Sequence, residues 1–170
     1  MANASKIERS LVLFKPDTIQ RGLVGEILTR FERVGLEIVA TKMLKPSLEH
    51  YHKHYEEIGQ MITRRGQHAF DVTLEMMLAG PVIAMVFEGV EAVELIRKLV
   101  GTTEPKSAQP GTIRGDYSHM SFGYADAKNK GIPNLIHASG NVEEAEKEIA
   151  HWFSEDELYD YTAPNEKFTR

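Results

Sequence analysis

The sequence contains no cysteine and no long uninterrupted apolar run. Without cysteine the chain has neither a disulfide scaffold nor a sulfur-ligated zinc site, and it suits a reducing compartment. The longest apolar stretch, Leu78 to Phe87, is broken by Gly80 and Pro81 and is far shorter than the ~20 residues of a membrane-spanning helix. Met1 to Ser10 is polar and lacks the apolar segment of a secretory signal. We therefore expect a soluble, cytoplasmic protein that makes no membrane contact.

An excess of basic residues is also missing. The net charge is −5 and the isoelectric point is about 5.8, whereas a domain that grips nucleic acid usually carries a basic surplus. The balance therefore argues against a nucleic-acid partner. It still allows a small anionic ligand, because a few convergent cations in a cleft are enough to bind one.

The familiar phosphate-binding motifs are absent as well. The chain has no GxxxxGK[ST] loop, no GxGxxG fingerprint and no protein-kinase catalytic loop. Any phosphate bound by this protein must therefore be held by side chains.

Apolar periodicity divides the chain into strands and helices without a repeat or a linker, which predicts a single domain over residues 1–170. Strands are predicted at 10–14, 36–43, 82–87 and 135–136. Helices are predicted at 24–34, at 47–58 from a Ser47 cap, at 70–77, at 93–100, and at 142–152 from an Asn141 cap with Glu144 completing a capping box. Residues 102–133 show no clear periodicity. The order fits a βαββαβ plan, an α+β antiparallel sheet covered by helices, and a doubly wound sheet is the competing topology.

Several polar residues stand at positions that could face a cleft. Lys15 ends the first strand, Arg97 lies on the helix at 93–100, and Thr103 follows that helix. Arg114 lies between two glycines in Pro110 to Asp116, which suggests a tight loop with a specific backbone. Taken singly, each of these residues is also explained by a solvated side chain or a plain turn.

His137 is the strongest candidate for a catalytic residue. It follows a short apolar strand and precedes the small residues Ala138, Ser139 and Gly140. A neutral imidazole is a good nucleophile near pH 7 and can form a covalent intermediate. Glu148, at the edge of the apolar stripe of the last long helix, is placed to orient it. A half-buried structural histidine is the alternative.

His50 and His54 share a helix face at i, i+4, as zinc ligands can. No third ligand is apparent in the sequence. A solvated helix face is therefore the favoured interpretation of this pair.

Several ordered segments resemble one family. These are Lys15-Pro16-Asp17, Gln20 to Glu26, Pro110 to Asp116, Asn134 to Ser139, Glu143 to Ile149 and Trp152-Phe153. Together they look like the nucleoside diphosphate kinases over nearly the whole chain.

The resemblance implies a ferredoxin-like fold and Mg2+-dependent, ping-pong phosphoryl transfer. In the family, the histidine matching His137 takes the γ-phosphate of a nucleoside triphosphate such as ATP and gives it to a nucleoside diphosphate such as GDP. The glutamate matching Glu148 orients that histidine, and Ser139 matches a serine beside it. Mg2+ is held by the nucleotide phosphates rather than by protein ligands. Matches to the family's phosphate and ribose contacts occur at Lys15, Tyr55, Arg97, Thr103, Arg114 and Asn134.

The resemblance also implies a homo-oligomer, and we expect a hexamer rather than a tetramer. The family stacks the nucleotide base on a phenylalanine, for which Phe70 is the nearest candidate.

The sequence departs from the family at three places. Ala138-Ser139-Gly140 stands where the family has Gly-Ser-Asp, and residues 56–69 and 117–133 are extended. Two other functions remain open at this point. One is a nucleotide-binding module without turnover, and the other is a phosphocarrier that accepts phosphate on His137 from a protein donor.

Overall fold

The structure is a computed structural model that describes residues 7–170; residues 1–6, part of the polar start that predicts no secretory signal, lie outside the described residues. Its centre is a four-stranded sheet of order β2-β3-β1-β4 in which every neighbouring pair is antiparallel. The strands are β1 (Ile7–Phe14), β2 (Glu37–Leu44), β3 (Val82–Val90) and β4 (Ile136–Ala138). The predicted ferredoxin-like α+β plan is confirmed, and the doubly wound alternative is wrong because no pair is parallel.

Helices connect and cover these strands. They are α1 (Pro16–Gln20), α2 (Val24–Arg33), α3 (Leu48–His52), α4 (Met61–Arg65), α5 (Gln67–Leu78), α6 (Ala92–Val100), α7 (Ile113–Tyr117), α8 (Phe122–Ala127), α9 (Val142–Trp152) and α10 (Glu166–Thr169), with 3-10 turns at Pro105–Ser107 and Glu155–Glu157. Within residues 7–170, no helix combines the length and the apolarity needed to cross a bilayer.

Alternate residues of β1 serve two cores, one on each face of the sheet. Leu11 and Leu13 pack with Tyr51 and Trp152 on one face, while Val12 and Phe14 pack against α2 and α6 on the other. Successive side chains of a strand point to opposite faces of the sheet. Because both faces of β1 are covered, both sets of side chains are apolar, and this produces the continuous apolar run seen at 10–14. The double burial fixes the end of β1, from which Lys15 follows.

Helix ends follow the predicted chemistry with two exceptions. The Ser47 hydroxyl accepts from the His50 N–H at 3.1 Å, and the Asn141 amide oxygen accepts from the Glu144 N–H at 2.8 Å. The capping box at Asn141 is incomplete, because the Glu144 carboxylate pairs with Arg64 at 2.7 Å. The first turn of α9 also departs from the apolar periodicity of that helix, because Val142 is 42% exposed.

Two segments differ in local structure from the sequence prediction. The helix predicted at 47–58 is α3 followed by a π-helix at Lys53–Ile58. Residues 102–133 contain α7 and α8, of five and six residues. Helices this short complete too few turns to produce a readable 3.6-residue period.

Candidate active site

A cleft of about 620 Å³ lies beside the ends of β1 and β4. Most of the polar residues predicted from the sequence line it: Lys15, Tyr55, Arg97, Thr103, Arg114, Asn134, His137 and Glu148. These residues come from segments spread along the chain from 15 to 148, and only the folded sheet brings them together.

His137 is held by a carboxylate on one ring nitrogen. It sits on β4 opposite Leu13 of β1, and its Nε2 lies 2.8 Å from Oε1 of Glu148, which is 2% exposed on α9. An ionised carboxylate only accepts hydrogen bonds, so Nε2 carries the proton. Nδ1 is then the ring nitrogen whose lone pair is free.

The Glu148 carboxylate is itself fixed at its second oxygen. The Ser139 hydroxyl donates to Oε2 at 2.6 Å and accepts from the backbone N–H of Leu11 at 3.1 Å. Ser139 is fully buried and does not line the cleft. It therefore supports His137 through Glu148, and the chain β1–Ser139–Glu148–His137 fixes the ring orientation.

His54, which was expected on a solvated helix face, is instead buried and forms the wall behind His137. The indole N–H of Trp152 donates to its Nδ1 at 3.1 Å, and its ring meets that of His137 edge-on at 4.5 Å. Burial lowers the pKa of His54 well below its usual range, and the neighbouring His137 acts in the same direction. His54 is therefore neutral, with its proton on Nε2.

Lys15 and Asn134 form one hydrogen-bonded unit. The Lys15 ammonium donates to the Asn134 side-chain oxygen at 2.6 Å, and the Asn134 amide donates to the Thr103 carbonyl at 2.9 Å. Burial, and then the Arg114 charge, lowers the pKa of Lys15 to about 8. The hydrogen bond to Asn134 holds the Lys15 ammonium in place, and burial leaves this ammonium poorly solvated. Binding of an anion is favoured because the anion supplies the stabilisation that water does not.

Arg114 is anchored by backbone carbonyls. It donates to Asn134 O at 3.1 Å, to Gly101 O at 2.9 Å and to Ile136 O. Burial, and then the Arg97 charge, lowers its pKa to about 10. The loop before it is tight, because a Cβ on Gly115 would lie 2.2 Å from the carbonyl oxygen of Gln109. The expected close backbone packing is therefore observed, but only Pro110 to Thr112 precede a helix, because Arg114 lies in α7 (Ile113–Tyr117) and not in a loop.

Positive charge in the cleft is mostly uncompensated. Four cations that line it form no salt bridge with any carboxylate of the described residues: Lys15, Arg65, Arg97 and Arg114. Burying or crowding unpaired cations costs free energy unless an anion completes the site. The arrangement therefore suits a ligand with several negative charges.

The tyrosine of the predicted set supplies a neutral donor. Tyr55 is 9% exposed, and its hydroxyl finds no hydrogen-bond partner in the part of the chain that the structure describes. Burial raises the pKa of this phenol above its usual range. Tyr55 therefore keeps its proton and can donate it to a ligand oxygen.

Only one group of side chains could hold a metal ion within residues 7–170, namely His54, His137 and Glu148, whose ligand atoms lie within 4.8 Å of one another. Hydrogen bonds already occupy these atoms. The His50–His54 pair does not form a site, because the His50 ring stacks on His151 at 3.9 Å while His54 packs against Trp152.

Phe70 is not brought to the cleft. It is 4% exposed, belongs to the core with Leu74 and Met77, and does not line the cavity. Phe70 therefore offers no face to a nucleotide base in this structure, which corrects the expectation that it stacks on one. Met61 and Arg65 of α4 line this part of the cleft.

Comparison with known proteins identifies the family. The family model for nucleoside diphosphate kinase matches residues 8–158. A nucleoside diphosphate kinase of Borreliella burgdorferi is 43% identical over 162 residues, which cover 94% of this chain and 95% of the relative. One of Pyrococcus furiosus is 44% identical over 166 residues, covering 98% of this chain and 95% of the relative. The chain belongs to the nucleoside diphosphate kinase family.

Solved structures of this family share the fold closely. A transition-state mimic of the Borrelia burgdorferi enzyme with bound vanadate and ADP superposes with a TM-score of 0.91 at 42% identity, covering 94% of this chain and 95% of that chain. A Halobacterium salinarum enzyme in complex with CDP gives 0.82 at 38% identity, covering 97% and 99%. The predicted family and enzyme class, a phosphotransferase, are thereby confirmed.

Sequence reasoning did not place His54 or Arg65 at the cleft, although both line it. His54 directly precedes Tyr55, so its position beside the site could have been inferred from its neighbour. Arg65 had no comparable signal, because it lies in the extension at 56–69, where the resemblance offers no matching position.

Proposed function

We propose that this nucleoside diphosphate kinase transfers phosphate through Nδ1 of His137. The observation that carries the proposal is the Ser139–Glu148–His137 chain, which leaves Nδ1 as the free nitrogen at the edge of a cation-lined cleft. A nucleophile held in orientation by a second group, which a third group holds in turn, is a general arrangement for covalent catalysis.

In the first half-reaction the Nδ1 lone pair attacks the γ-phosphorus of a nucleoside triphosphate such as ATP. The N–P bond forms, the bond from phosphorus to the β,γ-bridging oxygen breaks, and its electrons leave with the nucleoside diphosphate. The imidazole becomes positively charged, and the Glu148 carboxylate at 2.8 Å stabilises that charge. No proton has to leave the ring, because Nε2–H is retained.

In the second half-reaction a terminal oxygen of a bound diphosphate, such as GDP, attacks the phosphohistidine. The N–P bond breaks and its electrons return to Nδ1. One cleft serves both steps, since donor and acceptor share the diphosphate that Lys15 and the arginines bind. Recognition of phosphate and ribose rather than base edges would explain tolerance for different bases.

The remaining predicted residues supply positioning and charge neutralisation, which dominate phosphoryl transfer. The cations and polar groups of this set contact phosphate or ribose: Lys15, Tyr55, Arg97, Thr103, Arg114 and Asn134. Mg2+ enters with the nucleotide as part of the substrate. The cation-rich lining and the hydrogen-bonded state of His54, His137 and Glu148 support this assignment.

The alternatives are less well supported. A binding module needs no oriented histidine, and a phosphocarrier with a protein donor needs no deep nucleotide-sized cleft. A single domain over residues 1–170, a cytoplasmic location and a hexameric assembly stay predictions, the last to be tested by light scattering on the purified protein.

A two-step labelling experiment tests the proposal. The protein is incubated with γ-labelled ATP and magnesium, freed of nucleotide, and examined for acid-labile, base-stable phosphate before GDP or dCDP is added. We expect label on the protein that moves to the diphosphate. Label that never moves would favour the phosphocarrier, and absence of label with ATP still bound would favour the binding module.

The nucleophile is tested with His137→Ala, which should lose labelling while keeping the fold and nucleotide binding. His68→Ala is the matched control, because His68 is exposed on α5 and lies outside the cleft. Exchange that survives in His137→Ala would show that the nucleophile is another residue.

A further inference from the structure

The two extensions of the chain meet at the rim of the cleft. The extension at 56–69 forms α4, whose last residue is Arg65, and the extension at 117–133 forms α8, which begins with Phe122. The Arg65 guanidinium lies over the Phe122 ring at 5.8 Å, and its Nη2 donates to the Thr103 hydroxyl at 3.3 Å. The backbone N–H of Phe122 donates in turn to Glu104 at 2.9 Å, which anchors this ring.

Within residues 7–170, a carboxylate neutralises the charge of Arg64 but not that of its neighbour Arg65. Arg64 pairs with Glu144 at 2.7 Å, whereas Arg65 forms no salt bridge among the described residues. The charge of Arg65 lowers the pKa of both Lys15 and Arg114, after the larger effect of burial. Its field therefore reaches the cations at the base of the cleft.

The position of Arg65 favours a phosphate as its partner. The hydroxyl it contacts belongs to Thr103, which is one of the proposed phosphate contacts. A guanidinium has five N–H donors in a planar fork that matches phosphate oxygens, and a single hydrogen bond to Thr103 leaves most of these donors free. Because the side chain is exposed at the rim, it can turn toward a nucleotide without a change in the fold.

We propose that Arg65 is a further phosphate-binding residue of this enzyme, held at the rim of the cleft by Phe122, and that the two extensions place it there. The proposal rests on the proposed function, because it concerns the same nucleotide site. Arg65 binds the diphosphate portion common to donor and acceptor, so it raises nucleotide affinity and leaves the transfer to His137 to the residues at the base of the cleft.

Binding and turnover of Arg65→Gln test this inference, with Arg64→Gln as the matched control. In a His137→Ala background, calorimetry with ADP and magnesium should show about tenfold weaker binding for Arg65→Gln, the effect of losing a charge-assisted hydrogen bond. Arg64→Gln should stay within about twofold of its parent. With His137 present, Arg65→Gln should raise KM for the diphosphate and leave kcat within about twofold, and Arg65→Lys should restore part of the affinity.

Phe122→Ala should weaken ADP binding in the same direction by about two- to fivefold, as loss of an exposed cation–π contact predicts. An ADP affinity that is the same in Arg65→Gln and its parent would overturn the assignment of Arg65, and an unchanged affinity in Phe122→Ala would overturn the role of the ring. An equal loss in Arg64→Gln would also overturn it, since the effect would then be general charge. Failure of the wild-type protein to exchange phosphate would count against the proposed function instead, and would be seen before any variant is made.

Discussion

Replacing Lys15 with methionine should stabilise the nucleotide-free protein. Lys15 is 6% exposed, and burial lowers the pKa of its ammonium from the ordinary 10.5 to about 8, a difference worth about 3 kcal/mol against folding at neutral pH. Methionine is unbranched and only one atom shorter than lysine, and it removes the charge. It also leaves the Asn134 oxygen without its 2.6 Å donor, which costs about 1–2 kcal/mol. The net expectation is a gain of about 1–2 kcal/mol at pH 7.

The pH dependence distinguishes this cause from a general packing effect. The folded-state pKa of Lys15 lies below its unfolded value, so the unfolded chain holds more protons between about pH 8 and pH 10.5. The stability of the wild-type protein therefore rises across that interval relative to the variant. The advantage of Lys15→Met is largest below pH 8 and disappears as pH approaches 10.5.

Thermal unfolding of both proteins at pH 7 and pH 10, at one protein concentration, measures the effect. A gain of this size raises Tm by roughly 2–8 °C for a chain of this length. Lys98→Met, at an exposed position of α6, should show no such gain at either pH. A variant that melts below the wild type at pH 7, or an advantage independent of pH, would refute the account of Lys15 as a costly buried cation. The same variant should bind ADP weakly, since the charge that destabilises the empty cleft is the one a phosphate needs.

Three further outcomes follow from the same geometry. Glu148→Gln should slow phosphorylation of His137 by about 10- to 100-fold, the effect of removing a charged hydrogen-bond partner; quench-flow with labelled ATP measures it, and an unchanged rate would mean that Glu148 does not act through His137. Gly101→Ala should lower the free energy of unfolding by about 2 kcal/mol or more, because Gly101 has φ +86° and a Cβ there would lie 2.6 Å from the Thr112 hydroxyl oxygen. Urea unfolding at fixed protein concentration measures this loss. An unchanged free energy of unfolding would show that this loop can relax. Finally, kcat/KM for the nucleotide should fall above about pH 8 as Lys15 loses its proton. In contrast, kcat at saturating nucleotide should fall only at higher pH, because bound phosphate raises the pKa of Lys15. A flat kcat/KM profile from pH 7 to 9.5 would contradict this assignment.

Local chemistry made much of the fold predictable. The buried run at 10–14, the Ser47 and Asn141 caps and the positive-φ glycines that end α2 and α6 each act within a few residues of the chain. Such signals depend on backbone geometry and on one face of an element, so they can be read before any tertiary contact is known.

Long-range contacts decided what the sequence could not. Glu144 was expected to close a capping box and instead pairs with Arg64, which lies 80 residues away in the chain. Phe70 was expected to contact the nucleotide and is instead packed in the core, while Met61 and Arg65 of α4 line the cleft. No local pattern records either outcome, since each depends on which element arrives at that face of the sheet.

The sequence by itself determined the order of the four strands and the long helices, the family, and His137 as the candidate nucleophile, because these depend on periodicity and on ordered motifs. The tertiary structure alone decided which nitrogen of His137 is free, how strongly the Lys15 ammonium is destabilised, and that Arg65 joins the rim of the cleft. Hydrogen-bond partners, burial and the meeting of the two extensions are properties of residues far apart in the chain, and they exist only once the sheet has assembled.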